Sequence, residues 1–226
     1  MAEGMLSGKV AIVTGAGRGI GRAIAIMMAS RGASVVVNDV GAGLSDQSAD
    51  QTPAQEVVDT IRKAGGQAIT AYDSVTDFQG AQRTVKAALD TFGRVDCLVN
   101  NAGILRDKMF HHMSQEDIEA VLQVHLYGCF NMSRAVVEHF RKQESGVFLH
   151  MTSTSGLFGN LGQANYAAAK LALVGFSNSL QLEMERYGVR SNCVSPSANT
   201  RMTQSVPSSR RGGVEAQQAR LEGTLW

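Results

Sequence analysis

Val10-Ala11-Ile12-Val13-Thr14-Gly15-Ala16-Gly17-Arg18-Gly19-Ile20-Gly21 joins an apolar run to a glycine-rich turn and the opening of a helical pattern. Val10 to Val13 reads as a strand buried on both faces. Arg22 to Arg31 has helical spacing, with Gly32 as its C′ stop. A glycine turn between strand and helix lets backbone N–H groups approach an anion, and the helix dipole favours the negative charge there. The spacing Gly15…Gly19-x-Gly21 departs from the commonest GxGxxG form. Its place after a strand and before a helix makes a dinucleotide pyrophosphate site the better reading than a turn kept for packing. Gly15, Arg18, Gly19, Ile20 and Gly21 are the residues expected to form it.

The same alternation continues downstream. Strands are expected over Ser34–Val37, Ala68–Tyr72, Val95–Val99, Gly146–Thr152 and Val189–Ser195. Helices are expected over Pro53–Ala64, Gln79–Thr91, Gln115–Arg141 and Tyr166–Tyr187, with Val40–Thr52 a long polar loop. Strands alternating with helices predict an α/β fold: a doubly wound parallel sheet covered on both faces. From Thr203 to Trp226 no strand pattern is found. The chain therefore divides into residues 1–202, a dinucleotide-binding and catalytic domain, and 203–226, an irregular polar tail.

The 226 residues suffice for one domain with a sizeable core, and 44% apolar with 18% charged residues fits a globular chain. A formal net charge of +1 argues against nucleic acid or an anionic membrane as partner. No apolar run is long enough to span a bilayer, and Met1–Gly8 lacks the apolar core of a secretory signal. Cys97, Cys129 and Cys193 are widely spaced and odd in number, which points to free thiols in a reducing cytoplasm. His111-His112 has no cysteine or carboxylate to complete a metal site, and Met27-Met28 is expected in the core.

Two further positions bear on chemistry. Asp39 ends the second strand, eighteen residues beyond Gly21, where a carboxylate is expected to bind the adenosine ribose hydroxyls and repel the extra phosphate of NADP. Arg18 pulls toward NADP; the position of Asp39 favours NAD. Downstream, Tyr166 is followed one helical turn later by Lys170, on the same face. The ammonium is expected to favour the phenolate and lower the tyrosine's pKa toward that of a useful base. Ser153, thirteen residues before Tyr166, is placed to hydrogen-bond a substrate oxygen. A dinucleotide site with a proton-transfer pair predicts hydride transfer between a nicotinamide and an alcohol or ketone.

With Thr14-Gly15-Ala16-Gly17-Arg18-Gly19-Ile20-Gly21, Asn100-Asn101-Ala102-Gly103, Ser153, Tyr166 and Lys170 in place, the chain resembles the classical short-chain dehydrogenase/reductase family from about Leu6 to Met202. The resemblance implies a Rossmann-type fold, proton exchange by Tyr166, and a Lys170 that also binds the nicotinamide ribose. It implies that Ser153 orients the carbonyl or alcohol, Asn101 lines the cofactor groove, and Asp73 with Ser74 meets the adenine. Val37-Asn38-Asp39, Val124-His125-Leu126 and Gly159 to Tyr166 are similar to the (R)-3-hydroxyacyl-CoA dehydrogenase part of the peroxisomal multifunctional enzyme and its bacterial relatives. That implies NAD, with a 3-hydroxyacyl thioester or another bulky hydrophobic alcohol as substrate, and self-association as a homodimer or homotetramer.

The chain departs from the family at three places. His125 stands where many members have Asn in the proton relay; a histidine can still donate or accept there, or simply pack in its helix. Pro196-Ser197 replaces the usual Pro-Gly, and Thr200 lies one position early. The polar tail replaces the expected seventh strand and substrate-binding helices. Two other readings stay open: an NADPH-dependent 3-oxoacyl reductase, and a truncated dinucleotide-binding protein with little activity.

Overall fold

The computed structural model describes residues 4–41 and 52–196. Its elements alternate: β1 (Val10–Thr14), α1 (Gly19–Ser30), β2 (Ser34–Asn38), α2 (Thr52–Lys63), β3 (Gln67–Ala71), α3 (Phe78–Phe92) and β4 (Cys97–Asn100). Then come α4 (Gln115–Leu122), α5 (Gly128–Gln143), β5 (Gly146–Met151), α6 (Thr154–Phe158), α7 (Ala164–Met184) and β6 (Val189–Val194). All six strands are parallel, in the order β3-β2-β1-β4-β5-β6. The order reverses between β1 and β4, and the crevice at the carboxyl ends of such a pair is where open α/β sheets bind ligands.

The strands are apolar throughout because both faces are covered. Ile12, Val36 and Leu98 pack with α3, α5 and α7, around Val85, Met132, Val136, Phe140 and Leu180. Their neighbours Val13, Val35, Val37 and Val99 turn to the opposite face, against Ala25 and Ala29 of α1 and Val57, Val58 and Ile61 of α2. This period-two division of one apolar run between two cores is what a doubly wound sheet requires. Local chemistry sets the helix ends. The Asp77 carboxylate caps α3 by accepting from Gln79 N and Gly80 N, and Gly93 closes it at φ 77°. Ser114 and Asp117 form a capping box at the start of α4.

Four details correct the expectations. The helix predicted over Gln115–Arg141 is interrupted by a π turn, Gln123–Tyr127, in which Gly128 N–H bonds back to Gln123 C=O. The short helix α6 was not expected. The strand expected from Val95 begins at Cys97 and runs to Asn100. Met27 is 55% exposed, so it does not belong to the core. Most of the Val40–Thr52 loop, Ser197, Thr200, the polar tail and the question of a seventh strand lie outside the described residues, among which β6 and β3 are the two sheet edges. No described helix is long and apolar enough to cross a membrane.

Candidate active site

The glycine turn leaves β1 at Gly15 and enters α1 at Gly19, both at positive φ, 61° and 56°. A Cβ on Gly15 would lie 2.8 Å from Ala102 Cα, and one on Gly21 would lie 2.2 Å from Gly15 O. The turn is thus pressed onto the loop after β4, with no room for side chains. A Cβ on Gly19 would meet nothing within 4 Å, so its backbone faces open space. Thr14 and Asn101 lock the two loops together. Thr14 Oγ1 accepts from Asn101 N and Ala102 N, both at 3.0 Å, and Asn101 Nδ2 donates to Thr14 O at 2.9 Å and Gly15 O at 3.1 Å.

One cleft of about 350 Å³ opens beside this turn. Gly15, Arg18, Gly19 and Ile20 line one part; Asp39, Asp73 and Ser74 line the next. Asn101, His125, Tyr166 and Lys170 complete it. Gly21 sits behind the turn as its packing contact, and Ser153 stands beside the cleft, hydrogen-bonded to Tyr166. Every residue expected from the sequence is therefore in or against this cleft.

Asp39 does more than face it. Its Oδ2 accepts from Gly17 N and its Oδ1 from Gly41 N, each at 2.8 Å, so the carboxylate also shapes the turn. Asn38, which sequence reasoning passed over, donates to Asp73 O at 2.8 Å and ties β2 to the end of β3. Asp73 in turn receives Arg83, with NH2 2.7 Å from Oδ1. A dinucleotide fits this donor set: bare glycine backbone at a helix N-terminus, then a carboxylate at the end of β2.

Tyr166 and Lys170, the pair expected to move the proton, line the same cleft. Lys170 is 4% exposed, donates to Met151 O, and has its Nζ 5.6 Å from the Tyr166 ring centroid. Thr152 Oγ1 holds the Lys170 carbonyl at 2.8 Å. Burial pushes the lysine pKa down to about 8. The Tyr166 pKa is raised rather than lowered, against expectation. Burial is the largest cause, the hydrogen bond from Ser153 opposes it, and the Asp107 charge adds to it. Ser153 also caps α6, its Oγ accepting from Ser155 N at 3.1 Å.

His125 comes from the π turn and is 2% exposed, its ring edge-on to Tyr166 with centroids 5.1 Å apart. Nε2 lies 2.8 Å from Ile104 O and 3.1 Å from Ile104 N. One contact needs a proton on Nε2 and the other a lone pair, so Ile104 satisfies that nitrogen in either neutral tautomer. Burial, with the Lys170 charge, pushes the His125 pKa down to about 3, so the ring is neutral at physiological pH. A Cβ on Gly103 would lie 2.3 Å from His125 Cε1, so the ring occupies the space that glycine leaves. Elsewhere, His111 and His112 lie in an exposed 3-10 turn, and no described group of three or more His, Cys, Asp or Glu could hold a metal ion.

A parallel sheet whose switch-point cleft is lined by a glycine-rich turn and by a Tyr-Lys pair, with a serine hydrogen-bonded to the tyrosine, is the architecture of a dinucleotide-dependent oxidoreductase. Residues 9–211 match the family model of the short chain dehydrogenases, and the chain belongs to that family. It is 52% identical over 198 residues to a short-chain type dehydrogenase/reductase of Mycobacterium tuberculosis, covering 88% of this chain and 69% of that one. It is 47% identical over 199 residues to the peroxisomal multifunctional enzyme type 2 of Mus musculus, covering 88% of this chain and 27% of the much longer enzyme. The solved 7α-hydroxysteroid dehydrogenase complexed with NADH and 7-oxo glycochenodeoxycholic acid superposes with a TM-score of 0.82, at 34% identity over 90% of this chain and 76% of that one. The chain is thus an oxidoreductase of a family that uses NAD(H) or NADP(H).

Proposed function

We propose that the protein transfers a hydride between NAD and a secondary alcohol or ketone, with a 3-hydroxyacyl thioester or another bulky hydrophobic alcohol as substrate. The observation that supports this reading is that Asp39, Tyr166 and Lys170 line one cleft beside the glycine turn. When bound, the nicotinamide supplies the hydride acceptor or donor. Gly15, Gly19 and Ile20 hold the pyrophosphate, Asp39 the adenosine ribose, and Asp73 with Ser74 the adenine. Tyr166 exchanges the hydroxyl proton, Ser153 orients the substrate oxygen, and Lys170 holds the nicotinamide ribose. Neutral His125 braces the Tyr166 ring and the loop at Ile104; it does not act as an acid.

Leu157 at 47% and Leu161 at 63% exposure lie in the segment between Ser153 and Tyr166. Exposed apolar side chains in that segment suit a large apolar substrate. A second cleft on the outer face of α5 and α7, lined by Phe130, Phe176 and Leu182 with Arg134, Glu138 and Glu183, suits homodimer formation, because its mixed charges can complement a second copy about a two-fold axis. Free thiols at Cys97, Cys129 and Cys193 accord with the cytoplasm.

Titration with NADH and NADPH, followed by nicotinamide fluorescence, tests the cofactor reading. Tight NADH and weak NADPH binding is the expected result, with turnover of hydroxyacyl thioesters or secondary alcohols. The reverse preference would favour the 3-oxoacyl reductase, for which Arg18 in the same cleft is the supporting observation. Cofactor binding without turnover would favour a binding protein.

A further inference from the structure

Gln163, three residues before Tyr166, is held by a set of partly buried polar contacts that cofactor binding does not require. Gln163, 4% exposed, precedes α7 by one residue. Its Nε2 donates to Asp107 Oδ2 at 2.8 Å. Its Oε1 accepts from Ser155 Oγ and from Asn160 Nδ2, both at 2.9 Å. A carboxylate can only accept, so Asp107 dictates which end of the amide faces it, and the oxygen is then the atom that meets the two donors. The backbone of Gln163 takes part as well, since Ala167 N donates to its carbonyl at 2.7 Å.

These contacts join three segments. Ser155 lies in the turn capped by Ser153, Gln163 leads into the helix carrying Tyr166, and Asp107 belongs to the loop that leaves β4 past Asn101. The same loop is fastened to the Tyr166 helix by Lys108 N donating to Gly162 O at 2.9 Å and Asn165 Nδ2 donating to Arg106 O at 3.2 Å. Displacement of Gln163 therefore changes the separation of Ser153 and Tyr166, and proton-transfer geometry tolerates little of that.

We propose that Asp107, acting through Gln163, is a positioning residue of the proton site: it fixes the Ser153 turn against the Tyr166 helix and sets one negative charge near the phenol. The charged and titratable groups facing Tyr166 are Lys170 from its own helix, neutral His125 from the π turn, and Asp107 from the loop after β4. Burial is the larger cause that keeps Tyr166 protonated, and Asp107 adds to it. The tyrosine is thereby held in its proton-donating form, suited to delivering a proton to a ketone oxygen. This inference rests on the oxidoreductase reading for its meaning, but one arm of its test, the phenolate titration, does not depend on turnover.

The test uses D107N, Q163E and the double variant D107N/Q163E, with Tyr166→Phe as the spectroscopic reference. D107N keeps the shape and removes the charge, so phenolate absorbance of Tyr166 is expected to titrate lower by roughly half a unit or more. Q163E sets two carboxylates against each other and is expected to lower kcat by roughly tenfold to a hundredfold, with NADH affinity held within about twofold. In the double variant donor and acceptor trade places, while the new carboxylate still accepts from Ser155 and Asn160, so kcat is expected to recover to within about threefold of the parent. A Tyr166 titration unmoved by D107N, or a double variant no faster than Q163E, would overturn the proposal. Absence of turnover in the parent chain would count against the proposed function alone, since the phenolate titration still decides the place of Asp107.

Discussion

Lys170 Nζ lies 5.6 Å from the centre of the Tyr166 ring while donating its hydrogen bond to the carbonyl of Met151. The ammonium is therefore anchored to the end of β5 rather than to the phenol. It is buried, and its pKa of about 8 lies below the 10.5 of an ordinary lysine. Between those values the unfolded chain binds more protons than the folded one, so stability rises with pH across this window, and the penalty is fully present below pH 8.

Lys170→Met removes that penalty. At pH 7 the gain is at most about 3 kcal/mol, less about 1 kcal/mol for the hydrogen bond lost at Met151. Thermal melts should show Tm higher than the parent at pH 7, with the difference closing by pH 10, while turnover falls by about a hundredfold or more. A lower Tm at pH 7 would mean that the ammonium is better solvated than its burial implies.

Tyr166→Phe removes the proton donor and leaves the ring. The expected loss in kcat is about a thousandfold, with NADH affinity and Tm little changed. Equal losses in kcat and NADH affinity would instead place the hydroxyl in cofactor binding.

Asp39→Asn tests cofactor choice at a residue with two duties. Loss of the charge should move the NADPH-to-NADH affinity ratio up by about tenfold or more. Only one side-chain oxygen then remains for the amides of Gly17 and Gly41, so a stability loss of about 1 to 2 kcal/mol should accompany the change. Urea unfolding beside the two cofactor titrations separates the effects.

Gly21→Ala places a Cβ 2.2 Å from Gly15 O, and the contact is with backbone that cannot step aside. Gly19→Ala meets open space but must hold φ at 56°, at about 1 to 2 kcal/mol. Gly21→Ala should therefore lose NADH binding and destabilise strongly, whereas Gly19→Ala should remain folded with a modest fall in Tm.

Two buried histidines make the fold sensitive to acid. Burial lowers the His125 pKa to about 3 and the His150 pKa to about 4, against 6.5 for a free imidazole. Below 6.5 the unfolded chain takes up protons that the folded chain refuses, so stability falls as pH drops toward those values. His150, with Nδ1 3.2 Å from Asn100 Nδ2, contributes up to about 3 kcal/mol of this loss by pH 4. His150→Asn should shift the acid-unfolding midpoint downward. The kcat profile between pH 5 and 8 should show no imidazole limb from His125.

The sequence was legible where a short-range rule governs the outcome. Val10–Val13 and the glycines after it announce a buried strand and a phosphate turn, because period-two burial and the absence of side chains leave direct marks. Asp39, Tyr166 and Lys170 were readable from their offsets to those elements. The π turn at His125 was not, since a helical hydrophobic pattern absorbs one extra residue without visible interruption. Helix α6 is too short to show periodicity. Asp107 carries no motif and Gln163 lies in a stretch quoted only for its resemblance, and only the fold brings them 2.8 Å apart. The direction of the Tyr166 shift was missed because burial, which the sequence does not display, outweighs the hydrogen bond from Ser153.

The π turn also has a mechanical meaning. The wider turn absorbs one surplus residue, so the helix after it keeps its phase. Wound as a regular α-helix at the same length, everything after it would advance by about 100° around the axis, swinging Met132, Val136 and Phe140 away from the core they fill. The detour that presents His125 to the cleft thus also keys the following helix into its seat, and an ordinary α-helical rewrite of this segment would misalign both at once.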